Sequence, residues 1–296
     1  KTSDEMRDER EMLELIVGVA RKDDRIRAVY MNGSRTNRKI GKDIFQDYDI
    51  VYVVRENRPF YEDTGWIDVF GERLYMQRPD EVDRCNGLDV DFDRCYGWLM
   101  QFRDGNRLDL HVVPIGEANV QDDRLCVILL DKDGILPEIP EPSDEDYRIR
   151  KPTQREFRAC CNEFWWGLNN VAKGLWREEI PYVHRMFYEG SHSQLMKMLN
   201  WKVGYETDFR VSTGKASRFL KDYLDDEVWN RFLETYIGGS MADIWKSVFV
   251  MCDLFSDVAR ELAERRGHEY DAEEAEAARA FLSHVRTLPR DAASVF

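Results

Sequence analysis

The stretch YMNGSRTNRKIGKDIFQDYDIVYVV, residues 30–54, contains two neighbouring apolar runs with polar residues at their ends. The first run ends in a Gly-Ser-Arg sequence, and the second begins at Asp47 and Asp49. Residues i and i+2 of a strand point to the same face of a sheet, so both carboxylates are expected to project together. The stretch therefore predicts two adjacent strands that bring a sharp turn close to a pair of acids.

A third acid, Asp109, interrupts a later apolar run, RLDLHVVPI. Its neighbours Leu108 and Leu110 must face the other side of that strand, so Asp109 is the polar residue of a core-forming segment. A buried carboxylate is costly unless a positive charge compensates it, and clustered acids repel unless divalent cations lie among them. Mg²⁺ prefers hard oxygen ligands, and two ions can activate a hydroxyl and neutralise a transferring phosphate. The three acids thus form the arrangement that two-metal phosphoryl chemistry needs.

The turn supplies a second part of such a site. Gly33 lets the backbone approach a phosphate closely, and successive N–H groups from Ser34 onward can cradle it. Arg35 can add a guanidinium to the same oxygens. A Gly-Ser-Arg sequence or a D-x-D pair alone is more often a simple turn or a solvated loop. The ordered set of strand, turn, paired acids and later single acid indicates an active site.

Hydrophobic spacing divides the chain into two halves. An amphipathic helix over residues 5–21 precedes a series of strands, and PEIPEPSDED, rich in Pro and acids, indicates a linker. The predicted fold class is α+β, with a mixed β-sheet in residues 1–140 and an α-helical bundle in residues 150–296. The predicted strands are RIRAVYMNG, YDIVYVV, RLYMQR, CYGWLMQF, RLDLHVVPI and RLCVILLDKDG, and the predicted helices span 157–176, 192–203, 215–224, 226–236, 241–266 and 272–287.

Composition narrows the class of partner. The net charge of −14 argues against a nucleic-acid partner, because phosphate-binding surfaces are usually basic, and it agrees with a small cationic ligand or with solubility alone. No apolar run reaches about 18 residues and no signal peptide is recognisable, which predicts no membrane partner. Six cysteines without a C-x-x-C pair indicate a reducing compartment, so we expect a cytoplasmic protein.

At this point the chain resembles a known family. The pattern G-S, D-x-D and D is similar to the nucleotidyltransferase superfamily related to DNA polymerase β, and more narrowly to the aminoglycoside 6-adenylyltransferases (streptomycin adenylyltransferases). The resemblance extends in the family's order from about residue 6 to residue 270. The matching pieces are GSRTN (33–37), FQDYDI (45–50), LDL (108–110), LLDKD (129–133), RKPTQREF (150–157), CCNEFW (160–165), KGL (173–175), WKVG (201–204) and GK (214–215).

The resemblance implies transfer of AMP from ATP to an aminoglycoside hydroxyl, with release of pyrophosphate. It implies that residues 1–140 form a nucleotidyltransferase domain with the ATP and metal site, and that residues 150–296 form a helical domain that binds the acceptor and closes the cleft. Asp47, Asp49 and Asp109 would hold two Mg²⁺ ions. The triphosphate would be bound by Gly33, Ser34 and Arg35.

Three residues of the helical half have two interpretations each. Lys173 is either a phosphate contact or an exposed helical lysine. Asn162 and Glu163 lie among bulky apolar residues, where they form either a structural hydrogen bond or a contact with the acceptor. The expected partners are ATP and a small cationic hydroxylated substrate, bound by a monomer or a homodimer.

One position departs from the family pattern. The family has a helical Asp, thought to be the base for the acceptor hydroxyl, at the place that Arg185 occupies here. Arginine is not a base at neutral pH, and its charge repels a polycationic aminoglycoside. The register could shift locally, Glu189 or His184 could act as the base, or the acceptor could be another small molecule or a protein.

The function itself therefore has three interpretations. The first is AMP transfer to an aminoglycoside, the second is AMP transfer to another acceptor, and the third is nucleotide binding without catalysis. The three acids count against the third.

Overall fold

The protein is described by a computed structural model that covers residues 5–296. The chain forms two compact units, Lys1–Asp146 and Tyr147–Phe296. We call them the first unit and the helical unit.

The first unit is a mixed sheet with helices. Its six strands lie in the order β3-β4-β5-β2-β1-β6. The pair β2 and β5 is parallel, and the other neighbouring pairs are antiparallel. All six predicted strands are confirmed, and so is the α+β character of the fold. The strands are β1 (Ile26–Asn32), β2 (Tyr48–Val54), β3 (Arg73–Gln77), β4 (Tyr96–Phe102), β5 (Arg107–Pro114) and β6 (Cys126–Asp131).

Helix α1 (Glu9–Lys22) covers one face of this sheet. It begins with a capping box, in which the Asp8 carboxylate accepts from the backbone N–H of Glu11 and the Glu11 carboxylate accepts from that of Asp8. Ile16 on its apolar face is fully buried, and its carbonyl accepts a hydrogen bond from the Tyr52 hydroxyl at 2.5 Å. The helix predicted over residues 5–21 is therefore confirmed, with a start a few residues later.

The hairpin between β4 and β5 is fixed at its Asp-Gly turn. Gly105 has a φ of +91°, which other residues rarely adopt. The Asp104 carboxylate accepts from the Arg7 guanidinium at 2.6 Å and from the Asn106 side chain at 3.0 Å. These bonds hold the turn that starts β5, and β5 carries Asp109.

The helical unit packs around α4 (Gln154–Trp176) and α8 (Met241–Arg266). Phe164 of α4 stacks on Phe255 of α8, with ring centroids 3.8 Å apart, and both rings are fully buried. The Thr153 hydroxyl and the Glu156 carboxylate form a capping box at the start of α4. The remaining helices of this unit are α5 (Ile180–Met186), α6 (Ser193–Glu206), α7 (Asp226–Leu233) and α9 (Ala272–Thr287).

The prediction of a helix over residues 215–224 is wrong. The chain there forms two short 3-10 turns, Lys215–Ser217 and Leu220–Asp222. The reason is that Ala216 and Ser217 have φ values of +54° and +57°, in the left-handed region, which an α-helix does not tolerate.

Sequence spacing also missed three short helices, α2 (Arg58–Glu62), α3 (Pro79–Cys85) and α5. Each has a proline in its first turn. They are too short for a hydrophobic period to be recognised.

Within residues 5–296, none of the helices combines the length and the apolar character that crossing a bilayer requires.

Candidate active site

Strand register brings the three acids together. Asp49 of β2 and Asp109 of β5 are direct partners across the parallel pair, and Asp47 lies two residues before Asp49. One carboxylate oxygen from each acid lies within 4.8 Å of the others. Asp109 is only 8% exposed. The sheet thus builds a compact cluster of carboxylates from two segments that are sixty residues apart in the sequence.

Gly33 is required next to Asp49 for two reasons. Its φ of +86° is one that residues with a side chain rarely adopt, and a Cβ at this position would lie 2.1 Å from Asp49 Oδ2. Asn32, the last residue of β1, is the register partner of Asp49, which explains this close approach. The Gly33 carbonyl also accepts from the Thr36 hydroxyl at 2.8 Å, which closes the 3-10 turn Ser34–Thr36. The turn and the acids therefore form one packed structure.

The guanidinium of Arg35 forms hydrogen bonds with the protein backbone. Its guanidinium donates to the Gln46 carbonyl at 2.8 Å and to the Asp47 carbonyl at 3.2 Å, and it lies over the Tyr48 ring at 3.8 Å. The side chain is 7% exposed. Arg35 thereby fixes the backbone just before β2, and with it the position of Asp47. Its contact with a triphosphate stays a prediction.

Arg107 is a member of this cluster that the sequence analysis missed. Its guanidinium forms two hydrogen bonds with the Asp109 carboxylate, at 2.8 and 2.6 Å, and its Nε lies 3.8 Å from Asp47 Oδ2. The hydrogen bond to Asp109 raises the pKa of Arg107, and the charges of Asp109, Asp47 and Asp49 raise it further. The available signal was its spacing, because Arg107 lies two residues before Asp109 on the same face of β5.

The cluster has the donor chemistry of a site for a hard divalent cation. It offers carboxylate oxygens on a rigid pair of strands, which is the ligand type that Mg²⁺ takes. Arg107 supplies positive charge to the same oxygens, so the acids are already arranged around a cation. The residues therefore fit the predicted metal.

His111 lies on the same face of β5 as Asp109 but packs against the sheet. A Cβ on its register partner Gly97 would come within 2.5 Å of the His111 ring. Burial lowers the pKa of His111, against the opposing charges of Asp80 and Asp109. The ring is thus a neutral packing group beside the acids.

The predicted acceptor residues lie in the helical unit. Arg185 of α5 pairs with Glu189 at 3.2 Å, and both side chains are about two-thirds exposed or more. His184 Nε2 lies 2.7 Å from the Gly238 carbonyl. A carbonyl only accepts, so Nε2 carries the proton and Nδ1 is the basic nitrogen of the neutral ring.

The other predicted contacts lie on α4. Asn162 donates from its side-chain amide to the Glu274 carboxylate of α9, and its contact with the acceptor stays a prediction. Glu163 and Lys173 are exposed. Within residues 5–296, no carboxylate oxygen lies within 4.0 Å of the Lys173 ammonium group.

A turn of this kind beside a D-x-D pair and a third acid, carried on a mixed sheet, defines a class of enzyme, and this chain is a nucleotidyltransferase. More narrowly, the chain belongs to the streptomycin adenylyltransferase family, whose family model matches residues 6–285. The resemblance found in the sequence is thereby confirmed.

Two relatives compared by sequence agree with this family. The chain is 37% identical to an aminoglycoside 6-adenylyltransferase of Bacillus subtilis (strain 168), over 90% of this chain and 93% of the relative. It is 37% identical to an aminoglycoside 6-adenylyltransferase of Campylobacter jejuni, over 90% and 91% of the two chains. A crystal structure of an aminoglycoside 6-adenyltransferase from Bacillus subtilis is similar with 30% identity and a TM-score of 0.48, covering 96% of this chain and all of that one.

Proposed function

We propose that this protein transfers AMP from ATP to a hydroxyl of a streptomycin-like aminoglycoside, releases pyrophosphate and thereby confers resistance. The observation that carries the proposal is the cluster of Asp47, Asp49 and Asp109 on paired strands. The names of the relatives supply the class of acceptor. A protein that only bound a nucleotide would have no need for three converging carboxylates.

Asp47, Asp49 and Asp109 are proposed to hold two Mg²⁺ ions. Bound there, the metal would supply neutralisation of phosphate charge and activation of the acceptor hydroxyl. The residues around the acids serve to place them. Arg107 orients the Asp109 carboxylate, and Arg35 fixes the backbone of Asp47.

The nucleotide is proposed to lie over the Gly33-Ser34 turn, where the backbone is close to the Asp49 carboxylate. Residues 1–140 would then act as the nucleotidyltransferase domain and residues 150–296 as the acceptor domain. Lys173 is proposed as a phosphate contact, and its exposed ammonium group supports this role. Glu163 and Asn162 are proposed to contribute to the acceptor pocket.

His184 is the better candidate for the base that accepts the proton of the acceptor hydroxyl. The hydrogen bond from Nε2 to the Gly238 carbonyl orients the ring and leaves Nδ1 as the acceptor. Among the described residues, no hydrogen-bond partner of Nδ1 is present. Glu189, the alternative, has its carboxylate engaged by Arg185. The same ion pair offsets the charge with which Arg185 would repel a cationic substrate.

Arg185 also favours a second candidate, which keeps AMP transfer and changes the acceptor to another small molecule or a protein. A screen with α-labelled ATP, Mg²⁺ and a panel of acceptors separates the two. Labelled adenylyl-streptomycin is the expected product. Transfer to no aminoglycoside, together with transfer to another acceptor, would establish the second candidate instead.

A further inference from the structure

A cavity of about 460 Å³ lies in the helical unit, between the residues that precede α4, helix α6 and the 3-10 turn Lys215–Ser217 with the two residues before it. Three cationic side chains line it, Arg150, Lys151 and Lys197. The function proposed above assigns no role to them.

These three cations are not neutralised by the protein. In the part of the chain that the structure describes, no carboxylate oxygen lies within 4.0 Å of Arg150, Lys151 or Lys197. Lys202, farther along α6, shows the contrast, because its ammonium group contacts Glu206 at 2.6 Å and Glu261 at 3.2 Å. An uncompensated group of three cations is unusual in a chain with a net charge of −14, and it favours an anionic ligand.

One acid, Glu156, also lines the cavity, and its negative charge offsets one of the three positive charges. Its carboxylate accepts from the Thr153 backbone N–H at 2.7 Å in the capping box of α4. Hydrogen bonding to Thr153 lowers the pKa of Glu156, and the charge of Lys197 lowers it further. The cavity thus keeps an excess of positive charge.

Neutral groups in the wall are preorganised. The Asn200 amide donates to the Ser217 hydroxyl at 2.9 Å and accepts from the Thr213 hydroxyl at 2.5 Å. Ser217 is therefore an acceptor in this network, and its own hydroxyl proton is available to an oxygen in the cavity. Ser217 and Ala216 both hold left-handed φ values, a strained conformation that the protein maintains at this wall.

The remaining wall suits a ligand with a flat apolar part. The Tyr147 ring lines the cavity and is 51% exposed, whereas Trp201 lines it from the core, is 7% exposed and stacks on Phe157. An exposed ring at the edge of a basic cavity is able to stack on a base while cations contact the phosphates.

We propose that this cavity binds a polyphosphate anion, the triphosphate of a nucleotide or pyrophosphate, through Arg150, Lys151 and Lys197. Several phosphates in a chain match three separated cations better than one phosphate does. The identity of the natural ligand rests on the proposed function, in which ATP is consumed and pyrophosphate is released. The proposal adds a polyphosphate contact from the helical unit.

The test is calorimetric titration of the full chain with pyrophosphate, ATP and inorganic phosphate in the presence of EDTA. EDTA removes divalent cations, so the acids of the first unit repel these anions and the heat reports on the basic cavity. We expect Lys197→Gln and Arg150→Gln each to weaken pyrophosphate binding about tenfold or more, as expected for loss of a charged hydrogen bond. Lys246→Gln, which removes an exposed helical lysine outside the cavity, should bind as wild type does.

Two results would overturn the proposal. One is pyrophosphate binding that is unchanged in Lys197→Gln and Arg150→Gln, with circular dichroism showing intact folds. The other is equal affinity for inorganic phosphate and pyrophosphate, since three cations should favour the longer anion. If AMP transfer is absent but the variants lose pyrophosphate binding, the cavity assignment stands and the proposed function fails. If AMP transfer is present but pyrophosphate binding is unchanged by the substitutions, the proposed function stands and the cavity assignment fails.

Discussion

Gly33 shows how a single residue without a side chain positions a carboxylate of the acid cluster. Replacement by Ala would place a methyl group 2.1 Å from Asp49 Oδ2 and force a side chain into a φ of +86°. We expect Gly33→Ala to lower AMP transfer about a hundredfold, because displacement of a catalytic group by about 1 Å has that effect. The measurement is the rate of label transfer from α-labelled ATP.

A nearby glycine gives the matched control. Gly41 lies in the loop between β1 and β2, and nothing lies within 4 Å of a Cβ built there. Gly41→Ala should keep the wild-type rate. Equal rates for Gly33→Ala and Gly41→Ala would show that the turn does not position Asp49.

Arg107 compensates the acids, so its removal should expose their mutual repulsion. In Arg107→Gln, Mg²⁺ should bind more tightly and raise the melting temperature more than in the wild type, because no fixed cation competes for Asp109. Thermal denaturation with and without Mg²⁺ measures this difference. Arg103→Gln is the control, since Arg103 pairs with Glu72 outside the cluster. The same Mg²⁺ shift in all three proteins would show that Arg107 does not compete with the metal for Asp109, and no shift in any of them would argue against a metal at the acids.

The positions of the three acids could be predicted from the sequence, but the hydrogen bonds of the residues around them could not, because those bonds depend on the path of a loop. Spacing alone places Asp47 and Asp49 on one face of a strand. The bonds of Arg35 depend on the path of the loop that brings the carbonyls of Gln46 and Asp47 to its guanidinium. No local pattern encodes that path.

At the scale of elements, strands and long helices were predictable because the apolar residues of each recur with one constant spacing along its length. Helix α8 runs from Met241 to Arg266, as its apolar spacing indicated. The helix predicted after Gly214 is absent because Ala216 and Ser217 have left-handed φ values, which neither residue type signals in the sequence. Residues Phe187–His192 form a π-helical segment that the sequence also did not indicate.

Helix α4 depends on a glycine where it meets that π-helical segment. A Cβ on Gly167 would lie 2.7 Å from the Ser191 hydroxyl, which is fully buried and donates to the Phe164 carbonyl at 2.7 Å. We expect Gly167→Ala to lower the free energy of unfolding by about 1–3 kcal/mol through overpacking. Chemical denaturation followed by circular dichroism measures the change.

Gly18 in α1 serves as the control for that substitution. Nothing lies within 4 Å of a Cβ on Gly18, so Gly18→Ala should stabilise the protein by about 0.5–1 kcal/mol through helix propensity. A stabilising effect at Gly167 would mean that the contact with Ser191 adapts freely.

At the scale of the whole molecule, His192 makes stability depend on pH. It is 4% exposed, and burial lowers its pKa from the ordinary 6.5 to about 4. Between pH 6.5 and 4 the unfolded chain binds a proton at His192 and the folded chain does not. The free energy of unfolding should therefore fall as pH is lowered through this window, by about 1.4 kcal/mol per unit from this group.

Urea denaturation at several pH values tests this dependence. Carboxylates also titrate in the same window, so the comparison is between wild type and His192→Gln. The variant should lose the part of the slope that belongs to His192. Parallel stability curves for the two proteins between pH 6.5 and 4 would contradict a neutral buried His192.

The central claim is that Asp47, Asp49 and Asp109 carry AMP transfer to an aminoglycoside, and one assay addresses it directly. Wild type and Asp49→Asn are incubated with α-labelled ATP, Mg²⁺ and streptomycin, and labelled adenylyl-streptomycin is quantified. We predict product with the wild type and a loss of about a hundredfold or more with Asp49→Asn, whose circular dichroism spectrum stays unchanged. Transfer by Asp49→Asn at the wild-type rate would contradict the assignment of the three acids.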